Sequence, residues 1–217
     1  MNQEPIPLLG PEIYDGIELR GLTTDLFGWN SHHEIFAQLI QRTQPKTIIE
    51  VGTWKGASAV HMAALTAELG TRIFCVDTWI GGDGHIFKHI GEGQPVQRDR
   101  HGWPGIYYQF LHNVKASGYH NRITPLPFMS LHGAWLLEAH GIKADLIYID
   151  GGHHYLDVIV DLTAYFPLLA PGGIIFGDDY DQHGVRKAVA EYFEHIKTTH
   201  ALAVVGEKWA LLPSLKP

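Results

Sequence analysis

Short apolar runs alternate with longer amphipathic stretches along most of the chain, and this alternation predicts the elements. Apolar runs typical of strands buried on both faces of a parallel sheet occur at 47–51, 72–76, 122–127, 144–149 and 174–177. Helical periodicity predicts helices at 58–69, 106–117, 131–140, 155–166 and 185–196. Two closing strands are expected at 201–205 and 209–212.

This order of elements predicts an α/β fold, a doubly wound Rossmann-like sheet with helices on both faces. We expect a mostly parallel sheet with an antiparallel C-terminal strand, because the chain closes on a pair of strands. Ligands of such sheets bind at the carboxyl ends of the strands, where the strand order reverses. The chemistry is therefore expected just after residues 51, 77, 127, 150 and 178.

The N-terminal part of the chain differs from the rest. Residues 1–30 are rich in Pro and Gly and predict an irregular extension in front of one domain at 31–217. Ser31, with Glu34 three residues later, is a capping-box pattern and predicts a helix that starts at Ser31 and ends before Pro45.

The segment 78–104 fits no element and predicts a lid-like insertion over the site. Its candidate lining residues, together with the start of the next helix, are Trp79, His85, Trp103 and Tyr107. His85 and His89 have the i, i+4 spacing of a helical zinc site, but no Glu follows His85 as in the protease pattern. Core packing is the competing interpretation for each of the lining residues.

Composition narrows the classes of function. The 217 residues carry a formal net charge of −7 and no basic run, which disfavours nucleic acid as a partner. One cysteine, Cys75 in an apolar run, predicts a buried thiol and a reducing compartment. The N-terminus does not have the pattern of a signal peptide, and we find no membrane span. We therefore expect a cytoplasmic protein that acts on a small molecule; its oligomeric state stays open, a homo-oligomer included.

The ends of the first two strands carry a candidate cofactor site. Glu50 precedes a loop in which Gly52 and Gly56 allow close approach of a ligand at a helix N-terminus. A carboxylate there disfavours phosphate and favours a cation, as in S-adenosylmethionine, although a plain glycine turn is the alternative. Asp77, 27 residues after Glu50, could accept ribose hydroxyls, as in dinucleotide sites. This pair alone does not separate S-adenosylmethionine from NAD.

The ends of the fourth and fifth strands carry three carboxylates, Asp150, Asp178 and Asp179. A hard divalent cation such as Mg²⁺, Mn²⁺ or Ca²⁺ relieves the repulsion in such a cluster. Asp178 and Asp179 can share one ion only if the strand has ended there, because neighbouring strand residues face opposite ways. His153 follows Asp150 and could act as a general base, or it could cap the next helix.

Taken together, these motifs resemble class I S-adenosylmethionine-dependent methyltransferases. The resemblance covers roughly residues 45–195, and is closest to macrolide-sugar O-methyltransferases and cephalosporin-hydroxylase-like proteins. The motifs that carry it are Glu50-Val51-Gly52-x-x-x-Gly56-x-Ser58, Asp77, Asp150-Gly-Gly-His153-His154-Tyr155, Leu169-x-Pro171-Gly172-Gly173 and Asp178-Asp179-Tyr180.

The resemblance implies a role for each matching residue. The implied cofactor contacts are Glu50, Gly52, Thr53, Trp54, Gly56, Ser58, Asp77 and Trp79, with Met129 and Ser130 near adenine. Asp150, Asp178 and Asp179 would hold Mg²⁺, as in metal-dependent methyltransferases of the catechol type. Those enzymes have Asn where this chain has Asp179 and a Lys base where it has His153. Some sugar methyltransferases have an acidic base near Gly152, so the identity of the base stays open.

The sequence thus predicts a metal-assisted O-methyltransferase that acts on a hydroxyl of a sugar or secondary metabolite, with Asp150 and His153 as catalytic residues. A catechol-like phenol is the second choice of acceptor. A hydroxylase-like relative of the same fold, a nicotinamide-dependent oxidoreductase and a non-catalytic binding module are the alternatives. The absence of G-x-G-x-x-G counts against nicotinamide.

Overall fold

A computed structural model describes residues 5–15, 21–82 and 102–214. Its seven-stranded sheet has the order β3-β2-β1-β4-β5-β7-β6, in which β7 runs antiparallel to both of its neighbours and the other pairs are parallel. The strands are β1 Thr47–Val51, β2 Arg72–Asp77, β3 Ile123–Pro127, β4 Ala144–Ile149, β5 Leu169–Gly177, β6 His200–Val205 and β7 Lys208–Pro213. The predicted Rossmann-like fold is confirmed.

Helices cover both faces of the sheet. The α-helices of the described residues are α1 Ile35–Thr43, α2 Ala57–Leu65, α3 Ile106–Ala116, α4 Ser130–Ala139, α5 Tyr155–Tyr165 and α6 His183–Ile196. Short 3₁₀ turns lie at Pro11–Tyr14, Ala67–Leu69 and Phe166–Leu168. No helix in this described part of the chain is both long and apolar enough to cross a bilayer.

Two hydrophobic cores result from the alternation of side chains along the central strands. Ile48 of β1 faces the core that contains Phe36 and Phe110, whereas Ile49 faces the core that contains Leu162 and Trp209. All six side chains are 0% exposed, so the central strands are buried on both faces, as their apolar runs predict.

The start of α1 differs from the prediction. The helix begins at Ile35, and Ser31 lies in a preceding turn, where its hydroxyl donates to the carbonyl of Trp29 at 3.3 Å. The amide of Ile35 donates to Nδ1 of His33 at 3.2 Å. The capping box predicted at Ser31 is therefore wrong, because a histidine side chain accepts from the first helical amide in its place.

Sheet topology determines where the functional residues meet. The chain reverses its direction of strand addition between β1 and β4, which are paired in register, with Val51 opposite Ile149. The loops that follow these two strands, beginning at Gly52 and Asp150, therefore lie side by side at the switch point, where ligands of such sheets bind.

Candidate active site

The loop after β1 is shaped by residues with a left-handed backbone. Gly52 and Gly56 have φ of +81° and +86°, and Trp54 has φ of +51°. A Cβ atom on Gly52 would overlap the carbonyl oxygen of Asp150 and would lie 2.7 Å from Cα of Gly151. A side chain is therefore excluded at Gly52, where the loops after β1 and β4 are in contact.

Asp77, at the end of β2, binds the protein's own backbone. Its Oδ2 accepts from the amides of Thr53 and Trp54 at 2.8 and 2.9 Å, and its Oδ1 accepts from the amide of Trp79 at 2.7 Å. Burial raises the pKa of Asp77 despite these bonds. Asp77 thus fixes the glycine loop, and a contact with ribose stays a prediction.

Glu50 lies beneath the glycine loop and is fully buried. Its carboxyl accepts a short hydrogen bond from Ser58 of α2 and lies 3.5 Å from Sγ of Cys75, the buried thiol that the sequence predicted. Burial raises the pKa of Glu50 to about 8. Glu50 therefore packs beneath the glycine loop, and its contact with the cofactor stays a prediction.

This buried carboxyl predicts a pH dependence of stability. The pKa of Glu50 rises from 4.5 to about 8 on folding, so the folded chain binds the extra proton between these values. The stability that the protonated form contributes is complete below about pH 4.5 and is lost as the pH rises through about 8.

We expect Glu50→Gln, which has no such proton, to gain stability relative to the native chain between pH 5.5 and 8, by on the order of 2 kcal/mol. Urea unfolding of both proteins at the two pH values measures the gain. If the free energies of unfolding of the two proteins changed with pH in the same way, Glu50 would be ionised in the folded chain.

Met129 and Ser130 lie at the start of α4, beside the loop after β4. The hydroxyl of Ser130 donates a short hydrogen bond to Asp161 of α5, and its carbonyl accepts from the hydroxyl of Tyr165 at 2.8 Å. Met129 is 64% exposed. Ser130 thus joins α4 to α5, while Met129 is free of the core and open to a ligand.

Three groups from two strand ends come together as a candidate metal site. One ligand atom each of Asp150, His153 and Asp179 lies within 4.8 Å of the others. Nε2 of His153 is 3.0 Å from Oδ2 of Asp179. Strand β5 ends at Gly177, and Asp179 has φ of +58°, so the backbone has turned away from the strand there. The group contains His153 in place of Asp178, which the sequence predicted as the third carboxylate.

Asp178 has a partner that sequence reasoning missed. Nζ of Lys208, on β7, donates to Oδ2 of Asp178 at 2.6 Å and to the hydroxyl of Tyr148 at 2.7 Å. The Tyr148 hydroxyl in turn donates to Oδ2 of Asp150 at 2.8 Å. Lys208 is 1% exposed. A single lysine at the head of an apolar run was the signal that could have identified it.

The charged groups of the cluster shift one another's pKa values. Burial, followed by the charge of Asp178, raises the pKa of Asp150 to about 7. The hydrogen bond to Asp179 raises the pKa of His153, and burial of the ring opposes this. The site therefore concentrates negative charge that a cation or a proton would neutralise.

The residues predicted to form the lid are only partly described. Trp79 is buried, donates from Nε1 to the carbonyl of Trp54 at 2.8 Å and packs against Tyr107 with ring centroids 4.9 Å apart. Trp103 is 56% exposed. His85 and His89, and with them the zinc prediction, lie outside the described residues.

Known proteins place the chain in a family. A family model described as "Methyltransferase domain" matches residues 49–180, more than half of the chain. The chain therefore belongs to this family of methyltransferase domains, as the sequence predicted. A curated relative, "Uncharacterized protein y4gI" of Sinorhizobium fredii, is 25% identical over 183 residues. These cover 82% of this chain and 17% of that protein, so the chain spans about a sixth of the relative's length.

Solved structures share the fold. An O-methyltransferase from Bacillus cereus, in complex with SAH, has a TM-score of 0.60 and 15% identity, covering 88% of this chain and 84% of its own. CalS11, a TDP-rhamnose 3'-O-methyltransferase of calicheamicin biosynthesis, has a TM-score of 0.58 and 19% identity, covering 82% and 77%. The resemblance to class I S-adenosylmethionine-dependent methyltransferases is thereby confirmed at the level of family and fold.

Proposed function

We propose that this protein is an S-adenosylmethionine-dependent O-methyltransferase that uses a divalent cation and acts on a hydroxyl of a small molecule. The observation that carries the proposal is the group of Asp150, His153 and Asp179 beside the glycine loop at the switch point. Family membership supports methyl transfer, and the acidic cluster supports a metal-assisted route to oxygen.

The cofactor would lie across the loops that follow β1 and β4. Gly52 allows the loops after β1 and β4 to lie in contact, and the open Met129 would border the adenine. Thr53 and Trp54 are held by Asp77, so the loop is rigid before a ligand arrives. The acidic surroundings suit the ammonium and sulfonium groups of S-adenosylmethionine better than they suit a pyrophosphate.

The residues present fit a divalent cation. Asp150, His153, Asp178 and Asp179 line one cavity of about 10 Å³, roughly the space of one water molecule. Oδ1 of Asp178 is buried and has no hydrogen-bond partner within the described part of the chain. Lys208 neutralises Asp178, so Asp150 and Asp179 are the carboxylates left for a doubly charged ion. These two would hold the ion, and Asp178 lines the same cavity.

We assign His153 as the general base that accepts the proton of the acceptor hydroxyl. It is 45% exposed, and its Nε2 is oriented by Asp179 while Nδ1 is 3.3 Å from Nε2 of Gln182. A bound cation lowers the pKa of a coordinated hydroxyl, and S-adenosylmethionine supplies the methyl group. His153 would accept the hydroxyl proton, and the fixed loops would align the acceptor oxygen with the sulfonium methyl.

A sugar hydroxyl is the acceptor we propose. CalS11, whose fold this chain shares, is named a TDP-rhamnose 3'-O-methyltransferase. Two exposed aromatic rings, Phe27 and Trp29, pack edge to face at 4.9 Å, and Trp29 lies 6.4 Å from Trp54 of the cofactor loop. These rings offer an apolar surface beside the cofactor site, on which the carbon face of a sugar could pack.

Transfer of a labelled methyl group tests the proposal. The full chain is incubated with methyl-labelled S-adenosylmethionine and Mg²⁺, with nucleotide sugars and catechols as acceptors, and with or without a chelator. We expect labelled product from a sugar acceptor and loss of turnover with the chelator. Binding of NADH without methyl transfer would favour the oxidoreductase, and oxidation of an acceptor without labelling would favour the hydroxylase-like relative.

A separate prediction concerns His153. Replacing it by Gln removes the base and keeps a polar side chain beside Asp179. We expect kcat to fall by roughly 10²–10⁴-fold, the range that general bases contribute, while the Kd for S-adenosylhomocysteine changes by less than about threefold. His154→Gln, in the exposed neighbouring position, is the matched control. If Mn²⁺ affinity falls together with kcat, His153 is a metal ligand instead of the base.

A further inference from the structure

We propose that Lys208 is a positioning residue that fixes two of the clustered carboxylates at once, an inference that rests on the metal-assisted function proposed above. Lys208 is on β7, in a register where Trp209 pairs with Gly177 of β5. This places its side chain beneath the carboxyl ends of β4 and β5. The sheet topology therefore places the ammonium group of Lys208, on the antiparallel strand β7, next to the site.

The ammonium of Lys208 contacts both acids, one directly and one through a hydroxyl. It donates to Oδ2 of Asp178 at 2.6 Å and to the hydroxyl of Tyr148 at 2.7 Å, and that hydroxyl donates to Oδ2 of Asp150 at 2.8 Å. Since Oδ2 of each acid is engaged from below, the orientation of each carboxylate is set. Oδ1 of Asp178 is left without a partner in the described chain, and Asp178 is one of the residues that line the cavity.

In the described part of the chain, Lys208 is surrounded by aromatic rings and by groups that lead to the acidic cluster. Its ammonium lies 5.2 Å from the ring centroid of Phe36 and 4.9 Å from that of Tyr148, so aromatic faces enclose it. At 1% exposure its side chain is not available to contact an acceptor on the surface. A buried lysine carries an energetic penalty unless it is paired, and the hydrogen bonds of Lys208 to Asp178 and to the hydroxyl of Tyr148 both lead to the acidic cluster.

The direction of change in metal affinity distinguishes positioning from simple charge balance. Removing a positive charge next to a cation site should, by Coulomb's law alone, strengthen binding of the cation. If Lys208 instead orients the carboxylates, its removal should weaken binding. Tyr148→Phe removes the hydroxyl that links Lys208 to Asp150 and changes no charge, so it tests the same path independently.

The experiment measures Mn²⁺ affinity by electron paramagnetic resonance and S-adenosylhomocysteine affinity by calorimetry. We expect Tyr148→Phe and Lys208→Met each to weaken Mn²⁺ binding by roughly 10–100-fold, the effect typical of groups that orient metal ligands. S-adenosylhomocysteine should bind within about threefold of the native affinity. Tyr14→Phe is the matched control, because it removes another buried tyrosine hydroxyl, bonded to the carbonyl of Ile123 at 2.9 Å.

Lys208→Met leaves Asp178 buried without a partner and could unfold. The double variant Lys208→Met/Asp178→Asn removes that charge, should recover the Tm and should still bind Mn²⁺ weakly, because Tyr148 is no longer held. If both Tyr148→Phe and the double variant bind Mn²⁺ with native or higher affinity, the positioning role of Lys208 is overturned and the metal-assisted function still stands. Failure of the native chain to bind Mn²⁺ overturns this inference together with the metal-assisted function.

Discussion

Gly52→Ala is expected to destabilise the chain by at least about 3 kcal/mol and to weaken S-adenosylhomocysteine binding by more than about tenfold. Gly52 has φ of +81°, which disfavours any Cβ. The added methyl group would also overlap the carbonyl of Asp150 and lie 2.7 Å from Cα of Gly151. The loops after β1 and β4 would have to separate, and we propose that these loops bind the cofactor.

Gly118→Ala separates the two effects. Gly118 has φ of +78°, yet a methyl group there would meet no described atom within 4 Å. The control variant should therefore show only the backbone strain, roughly 1–2 kcal/mol, with unchanged ligand affinity. Chemical denaturation and calorimetry on both variants make the comparison. If Gly52→Ala and Gly118→Ala lost equal amounts of stability and of ligand affinity, the contact between the loops after β1 and β4 would contribute to neither.

The central strands were predictable because a short, continuously apolar run between helical segments is typical of a strand that is buried on both faces. β1 and β4 occupy the residues expected for them. β5 begins at Leu169 and not at residue 174. The strand continues through an irregularity at Gly172, which has φ of +82°, and its pairing with β4 shifts between Ala144 and Leu146. Gly and Pro read as a turn in sequence, while the neighbouring strand keeps them in the sheet.

The candidate site was predictable as far as strand ends could locate it. The ends of β4 and β5 meet in any doubly wound sheet, and the structure brings Asp150, His153 and Asp179 together there. Lys208 could not be located in the same way. Its position depends on the insertion of β7 beside β5, a pairing of segments that lie far apart in the chain. Local periodicity carries no information about that partner.

Asp150→Asn is expected to lower kcat/KM for methyl transfer by on the order of 10³-fold, which corresponds to about 4 kcal/mol of lost transition-state stabilisation. The change removes the negative charge and keeps the shape and the acceptor for the Tyr148 hydroxyl. Folding should not suffer, because burial already raises the pKa of Asp150 to about 7 and the amide relieves that penalty. S-adenosylhomocysteine should bind with nearly native affinity.

Asp157→Asn is the charge-matched control for this change. Asp157 is exposed on the first turn of α5, on the same rim but outside the cluster, so its variant should keep at least half of the native rate. Initial rates with and without a chelator complete the test, since the Asp150→Asn protein should already be as slow as the native protein in chelator. If Asp150→Asn turned over in chelator at the rate of the native protein without chelator, neither the cation nor the charge of Asp150 would be required for the reaction.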